Sequence, residues 1–220
     1  MPEPFVVAFV VGVTPGKWAR AWGERMPAHP LTLSRVSPSD ALAAVRDGSA
    51  DVALLRLPIE HEDLSVIPLY EESPFVVVPR DHVIEALDGV TIAELDGENV
   101  LAGDWASAIE LVAANVGVAV MPQSVARALS RRDVVARPVT DAPATRIALA
   151  WLTSATTPEV DEFVGIVRGR TANSSRGQRP EPEPTTEKKL EKANKPPAKK
   201  DGARRPLSAR QPRRKSGRGR

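Results

Sequence analysis

The stretch that most constrains the fold is VAANVGVAVMP, residues 112–122, which has no charged residue and a single glycine. Ala108, Ile109 and Leu111 precede it and, with Val112, give the spacing of an apolar helix face. Asn115 and Gly117 are residue types that tolerate positive φ where a helix ends. Residues 118–121 are apolar without alternation, which suits a strand covered on both faces. The stretch therefore predicts a helix, a turn and a buried strand inside an α/β unit.

The first part of the chain alternates strands with helices. Three runs rich in Val, Leu and Ala are interpreted as strands: residues 5–13, 31–36 and 50–57. Thr14 and Ser37 stand where a capping hydroxyl is expected, and each precedes a proline suited to the first helical turn. Gly48 then ends the second helix. This strand–helix–strand–helix–strand order predicts a parallel sheet.

Further elements follow the parallel unit. Extended segments are predicted at residues 64–70, 74–79, 99–102, 134–139 and 146–152, and helices at 91–95, 106–114, 123–132 (with Ser124 as a candidate cap) and from Thr156. Trp18 and Trp22 are four residues apart and share one helix face, which indicates either the core or a dimer surface.

The C-terminal residues differ in composition from the rest of the chain. Residues 180–220 contain 14 Lys/Arg and 5 Asp/Glu, whereas the preceding residues are acidic overall. Residues 173–220 have almost no large apolar side chain, so we expect them to be disordered. Their basic clusters suit nonspecific nucleic-acid phosphates: Lys199, Lys200, Arg204, Arg205, Arg213, Arg214 and Lys215. The alternative is a solubilising tail without a fixed partner.

Several classes of protein are disfavoured by what the sequence lacks. There is no cysteine, and the three histidines lie in separate segments, so neither a metal site nor a catalytic triad is predicted. No nucleotide-binding or nucleophile motif occurs. We therefore expect no enzyme and no cofactor. The N-terminus has no basic segment before its short apolar run, so a cytoplasmic protein without membrane association is expected.

Candidate ligand-binding residues follow the strand ends of the predicted sheet, where ligands of open parallel sheets settle. Thr14, Ser37 and Ser39 offer hydroxyls beside helix N-termini, and Arg56 offers a guanidinium for a carboxylate. The alternative is purely structural: Thr14 and Ser37 cap helices, and Arg56 pairs with Glu60 or Glu62. Both explanations remain open from the sequence.

Residues 5–170 resemble the effector-binding domain of LysR-type transcriptional regulators. The resemblance rests on an ordered set of segments: ALAAVRDGSADVALLRLP, LSVIPLYEESPFVVVPRDH, TIAELDGENVL and VAANVGVAVMP. It implies a periplasmic-binding-protein-like two-lobed α/β fold over residues 1–172, with lobe one at about 1–83 and 140–170 and lobe two at about 84–139. The family's winged helix-turn-helix is expected to be absent, and the second lobe to be shortened after Trp105.

The resemblance also implies a function. The family's effector site uses the strand-end positions together with lobe-two residues near Asp104, so a small, anionic effector and a homodimer are expected. The competing hypothesis is a nucleic-acid-associated or interaction protein that acts through its basic tail. Duplex DNA binding measured with and without residues 173–220 distinguishes the two.

Overall fold

The computed structural model describes residues 3–170, which form two β-sheets with helices packed on them. The strands are Phe5–Phe9 (β1), Leu31–Arg35 (β2), Val52–Leu57 (β3), Leu64–Glu72 (β4), Pro74–Pro79 (β5), Ala119–Pro122 (β6), Val134–Pro138 (β7) and Thr145–Leu152 (β8). The α-helices are Gly16–Arg25 (α1), Pro38–Asp47 (α2), Trp105–Ala113 (α3), Gln123–Ala128 (α4) and Pro158–Val167 (α5). Short 3-10 helices lie at Val83–Ala86, Ala93–Leu95 and Thr153–Ala155.

The first sheet has the strand order β2-β1-β3-β8-β4. Strand β1 is parallel to both β2 and β3, as the alternating pattern predicts, and β8 is antiparallel to β3 and β4. Phe9 pairs with Arg35 on one side and with Leu54 on the other. The carboxyl ends of β1, β2 and β3 therefore meet at one edge of the sheet.

An aromatic group holds α1 and α5 against the first sheet. Phe5 stacks on Trp22 with ring centroids 4.5 Å apart, and Phe163 lies 5.4 Å from Phe5. Trp18 and Trp22 are both buried. The shared face of these two tryptophans thus belongs to the core of the chain.

The two helices of the parallel unit begin differently. Ser37 caps α2 as predicted, because its Oγ accepts from the backbone N–H of Asp40 at 3.1 Å, and Gly48 ends α2 with φ 78°. The predicted cap of α1 by Thr14 is wrong. Pro15 is the N-cap residue, and its carbonyl, not a side chain, accepts the N–H of Trp18 at 2.9 Å.

The second sheet has the order β6-β5-β7, with both pairs antiparallel. Strand β5, expected in lobe one, pairs with β6 and β7, so the chain leaves the first lobe at Ser73 rather than near residue 83. The sequence pattern indicates a strand at residues 74–79 but carries no information on its partners. From here on, lobe two is the part of the chain built on the sheet of β5, β6 and β7.

The corner at residues 112–122 forms largely as predicted. Asn115 has φ 62°, and a Cβ on Gly117 would collide with the carbonyl oxygen of Asn99. Strand β6 follows, at the edge of its sheet. The strand expected at residues 99–102 is wrong: Val100 forms only an isolated bridge to Val118.

Candidate functional site

Arg56 lies at the strand-end edge of the first sheet and is nearly buried, with 9% of its side chain exposed. Its Nε donates to Glu72 Oε2 at 2.6 Å and its Nη2 to Glu72 Oε1 at 3.1 Å. The structural alternative, in which Arg56 pairs with Glu60 or Glu62, is therefore wrong in its partner. Charged groups this deeply buried are stable only when they are paired and hydrogen-bonded.

Strand β8 explains why Glu72 is the partner. Arg56 pairs with Ile147 across one side of β8, and Glu72 pairs with Thr145 across the other. Thr145 and Ile147 are two residues apart, so they project from the same face of the sheet. Arg56 and Glu72 consequently point to that same face from the strands that flank β8.

Lobe two closes over this ion pair with Ser124 and Trp105. The Ser124 hydroxyl accepts from Arg56 Nη2 at 3.1 Å and donates to Glu72. The Trp105 ring faces the guanidinium at 5.3 Å, within the range of a cation–π contact. Thr145 Oγ1 donates to Glu72 at 3.3 Å. We call Arg56, Glu72, Ser124 and Thr145 the polar junction, because they connect the two lobes.

Gly12 permits the close approach of lobe two at the junction. A Cβ at this position would lie 2.5 Å from Ser124 Oγ and 2.8 Å from Arg56 Nη2. Its φ of 90° is also one that L side chains rarely adopt. Only glycine fits here without displacing α4 or the guanidinium.

One donor of the junction is unused. Arg56 Nη1 is fully buried and has no hydrogen-bond partner among the described residues. The other two nitrogens of the guanidinium hold Glu72 and Ser124. Almost all buried donors in folded proteins have a hydrogen-bond partner, so the unpaired Nη1 is an exception that suggests a ligand site.

The other predicted ligand-binding residues make no hydrogen bond to the junction. Ser37 and Ser39 share a hydrogen bond of 2.9 Å between their hydroxyls at the start of α2, and Thr14 is exposed. Asp104 caps α3, accepting from the N–H of Ser107 at 2.9 Å and from its hydroxyl at 3.0 Å. The backbone hydrogen bond from Ser107, followed by that from its hydroxyl, lowers the pKa of Asp104. Asp104 caps the helix that begins with Trp105, and Trp105 is the residue that contacts Arg56.

Sequence reasoning missed Glu72 and Ser124. The sequence offers Ser124 as a candidate cap of α4, but the N-cap residue is Pro122, which makes no side-chain hydrogen bond to the helix. The available signal was the single Arg in the otherwise apolar strand β3, which requires a buried acid. Choosing among the acids required the register of β8.

Metal binding receives no support from residues 3–170, which contain no group of three or more His, Asp or Glu side chains placed to hold an ion. The basic residues assigned to nucleic-acid binding, and the expected disordered tail at 173–220, lie outside the described residues. None of the helices that the structure describes has the length and apolar character needed to cross a bilayer.

Two α/β lobes that meet at a polar junction define the class of two-lobed ligand-binding domains. The family model of the LysR substrate binding domain matches residues 14–104 and 99–172, and the chain belongs to this family. The match comes in two segments that share residues 99–104, close to where the sequence predicts an omission in lobe two.

Two curated relatives indicate the kind of protein in which this domain occurs. The Hca operon transcriptional activator HcaR of Escherichia coli K12 is 25% identical over 180 residues, covering 68% of this chain and 60% of HcaR. A probable hydrogen peroxide-inducible genes activator of Mycobacterium leprae is 26% identical over 158 residues, covering 58% of this chain and 51% of the relative. The chain thus spans 60% or less of these two proteins, which are transcriptional regulators rather than enzymes.

Solved structures confirm the two-lobed fold. A variant of the BenM effector-binding domain superposes with a TM-score of 0.65 at 17% identity, covering 76% of this chain and 94% of that one. A Corynebacterium glutamicum OxyR mutant with bound H2O2 gives a TM-score of 0.62 at 22% identity, covering 76% and 67%. The predicted periplasmic-binding-protein-like fold, with a small second lobe built on three strands, is confirmed.

Proposed function

We propose that the chain is an effector-binding regulatory domain that takes a small organic anion between its lobes, at the polar junction. The observation that carries this proposal is the buried, unpaired Nη1 of Arg56. A carboxylate oxygen is the acceptor that best satisfies a guanidinium donor. BenM, whose fold is similar, has benzoate as its effector, which supports an organic acid as the ligand class.

The surroundings of Arg56 suit the rest of an anion. The N-terminus of α2, beside the hydroxyls of Ser37 and Ser39, carries a partial positive charge. Thr14 adds an exposed hydroxyl that makes no hydrogen bond within the described residues. Asp104 acts through Trp105, because its own carboxylate is occupied by Ser107 and would repel an anion.

Binding requires the lobes to separate. Arg56 Nη1 is inaccessible while Trp105 and Ser124 cover the guanidinium. Glu72 belongs to lobe one and remains paired with Arg56 when the lobes separate. The carboxylate of the ligand is therefore repelled by the carboxylate of Glu72. The ligand competes with Glu72 for the guanidinium of Arg56, so removal of the charge of Glu72 should raise the affinity for the ligand.

Isothermal titration with benzoate tests the proposal. Thr14→Val removes a hydroxyl and should weaken binding by about three- to tenfold, whereas Thr32→Val, on exposed strand β2, should leave the affinity unchanged. Glu72→Gln keeps a hydrogen-bonding side chain but removes the repelling charge, so benzoate should bind at least about fivefold more tightly.

Melting temperatures show whether each variant is folded. The proposal fails if neither benzoate nor a panel of aliphatic and aromatic acids binds the wild-type chain. It also fails if Thr14→Val and Thr32→Val have the same affinity as the wild type and Glu72→Gln gains none.

The remaining functional expectations stay predictions. They concern a homodimer, a cytoplasmic location and nonspecific nucleic-acid binding by the basic C-terminal residues. The last is supported by the 14 Lys/Arg against 5 Asp/Glu in residues 180–220. A similar fold in CbnR occurs in a complex with its target DNA, which makes DNA-linked regulation the context we propose for this domain.

A further inference from the structure

The sheet of lobe two is covered unequally on its two faces. Val77 of β5 packs with the apolar side chains of α3 and α4. Its neighbours Val76 and Val78 point to the opposite face, where they pack with Ile84 and Leu95. Those two residues come from 3-10 helices, so no α-helix of the described residues belongs to this second cluster.

A pocket of about 330 Å³ opens on this second face. Its apolar lining includes Ile92, Leu95, Val100, Val120 and Val139. Ile92 and Val100 are 48% and 47% exposed, which is unusual for two large apolar side chains that line one concavity. The volume lies at the lower end of the range of small-molecule sites, which are mostly apolar with a few polar groups.

Asp96 is the one charged residue in this lining. Residues 83–126 contain seven acidic residues and no Lys or Arg. Three of those acids are paired from outside that stretch: Glu85 with Arg80, Glu98 with His82, and Glu110 with Arg131. Within the described residues Asp96 pairs with no cation. The pocket thus combines apolar walls with an available negative charge.

We infer that this pocket binds a small molecule with an apolar body and a protonated amine, the amine resting on Asp96. The apolar body covers Ile92 and Val100, which the protein leaves half exposed. The site shares no residue with the polar junction, and it prefers the opposite charge. It is therefore a second site, independent of the anion proposed between the lobes.

Hexylamine is a suitable probe, with hexanol and hexanoate as neutral and anionic molecules of the same length. Titrations followed by two-dimensional NMR should give saturable hexylamine shifts around residues 92–100 and 139–143, with a dissociation constant of about a millimolar, as expected for so small a ligand. Hexanol should bind more weakly and hexanoate most weakly at this pocket.

Two variants test the wall and the charge separately. Asp96→Asn should weaken hexylamine by about two- to fivefold, the range of an exposed ion pair, and leave hexanol unchanged. Asp88→Asn is the matched control, because Asp88 is an exposed acid of the same stretch that does not line the pocket. Val120→Phe should fill the pocket and abolish binding of all three probes.

The inference is overturned if hexylamine causes no saturable shifts at the pocket, or if Asp96→Asn and Asp88→Asn have equal effects. Equal affinities for the amine and the acid would also overturn it. The melting temperature of Val120→Phe controls for misfolding, and Asp96→Asn remains decisive if that variant fails to fold. Benzoate binding, which depends on Thr14 and Arg56, is a separate readout.

Discussion

Glu72 is the residue on which the polar junction depends. Only 5% of it is exposed, and its carboxylate receives hydrogen bonds from Arg56, Ser124 and Thr145. Replacing a whole buried pair by apolar residues is often tolerated, but removing one partner leaves an uncompensated charge at a cost of about 3–5 kcal/mol. Substitution of either Arg56 or Glu72 alone is therefore expected to destabilise the fold.

Tyr70 reports the charge of Glu72 from outside the junction. Burial raises the pKa of Tyr70 above its usual value, the Glu72 carboxylate raises it further, and Arg56 lowers it. Because the folded chain holds this proton more tightly, the contribution to stability is present below the unfolded pKa of about 10. It is lost as the pH rises through the folded value.

Tyr70 is the only tyrosine of the chain, so its phenolate absorbance can be titrated without interference from other tyrosines. We expect a wild-type midpoint above 10 that moves down in Glu72→Gln, since a negative neighbour is lost and Arg56 is less neutralised. Glu71→Gln changes an exposed acid and should leave the midpoint in place. Identical midpoints in the wild type and Glu72→Gln would contradict the geometry.

Helix starts illustrate how elements are specified. Both α1 and α2 follow a Thr/Ser-Pro pair, but only α2 uses its hydroxyl as a cap. The difference arises because the α1 segment begins with Pro15 already in helical conformation, with φ −76° and ψ −2°. The same dipeptide signal therefore has two structural outcomes.

Ser37→Ala and Thr14→Ala should consequently differ. Loss of the Ser37 cap should lower the free energy of unfolding by about 1 kcal/mol, whereas Thr14→Ala should change it by less than about 0.5 kcal/mol. Urea denaturation measures both. A comparable loss in Thr14→Ala would show that this hydroxyl has a structural role after all.

At the scale of the whole molecule, Ser124 is the hydrogen-bonding connection from lobe two to the Arg56–Glu72 pair. Gly12 allows it to approach, and the chain segment from Glu72 to Pro74 joins the two sheets beside it. The Gln123 N–H bonds to the Ser73 carbonyl at 2.9 Å, so the start of α4 is fixed to this crossing. Contact between the two lobes at the junction thus depends on the hydrogen bonds of Ser124 to Arg56 and Glu72.

Ser124→Ala should weaken closure without unfolding either lobe. We expect a loss of about 1–3 kcal/mol, because two partly buried hydrogen bonds to charged groups disappear. Hydrogen–deuterium exchange should increase around α4 and Trp105 and remain unchanged in β1 and β3. Ser130→Ala, at an exposed position, is the control. Uniformly faster exchange throughout the chain would argue against a local role.

Much of the fold was readable from the sequence because its signals are local. Apolar runs and caps predict β1, β2, β3 and α2, and Asn115 predicts the left-handed residue of the corner. The ordered segments also carry the family resemblance. Arg56 stands out by itself as the charged residue of an apolar strand.

Tertiary structure decided which distant residues meet. The partner of Arg56, the sheet to which β5 belongs and the position of Ser124 all depend on the insertion of β8 between β3 and β4 and on the crossing at Ser73. The apolar pattern of a strand shows that it is buried but not which strand it pairs with. Pairing between strands far apart in the sequence therefore cannot be read from the sequence. The corner at residues 112–122 was determined by the sequence, whereas the polar junction exists only in the folded chain.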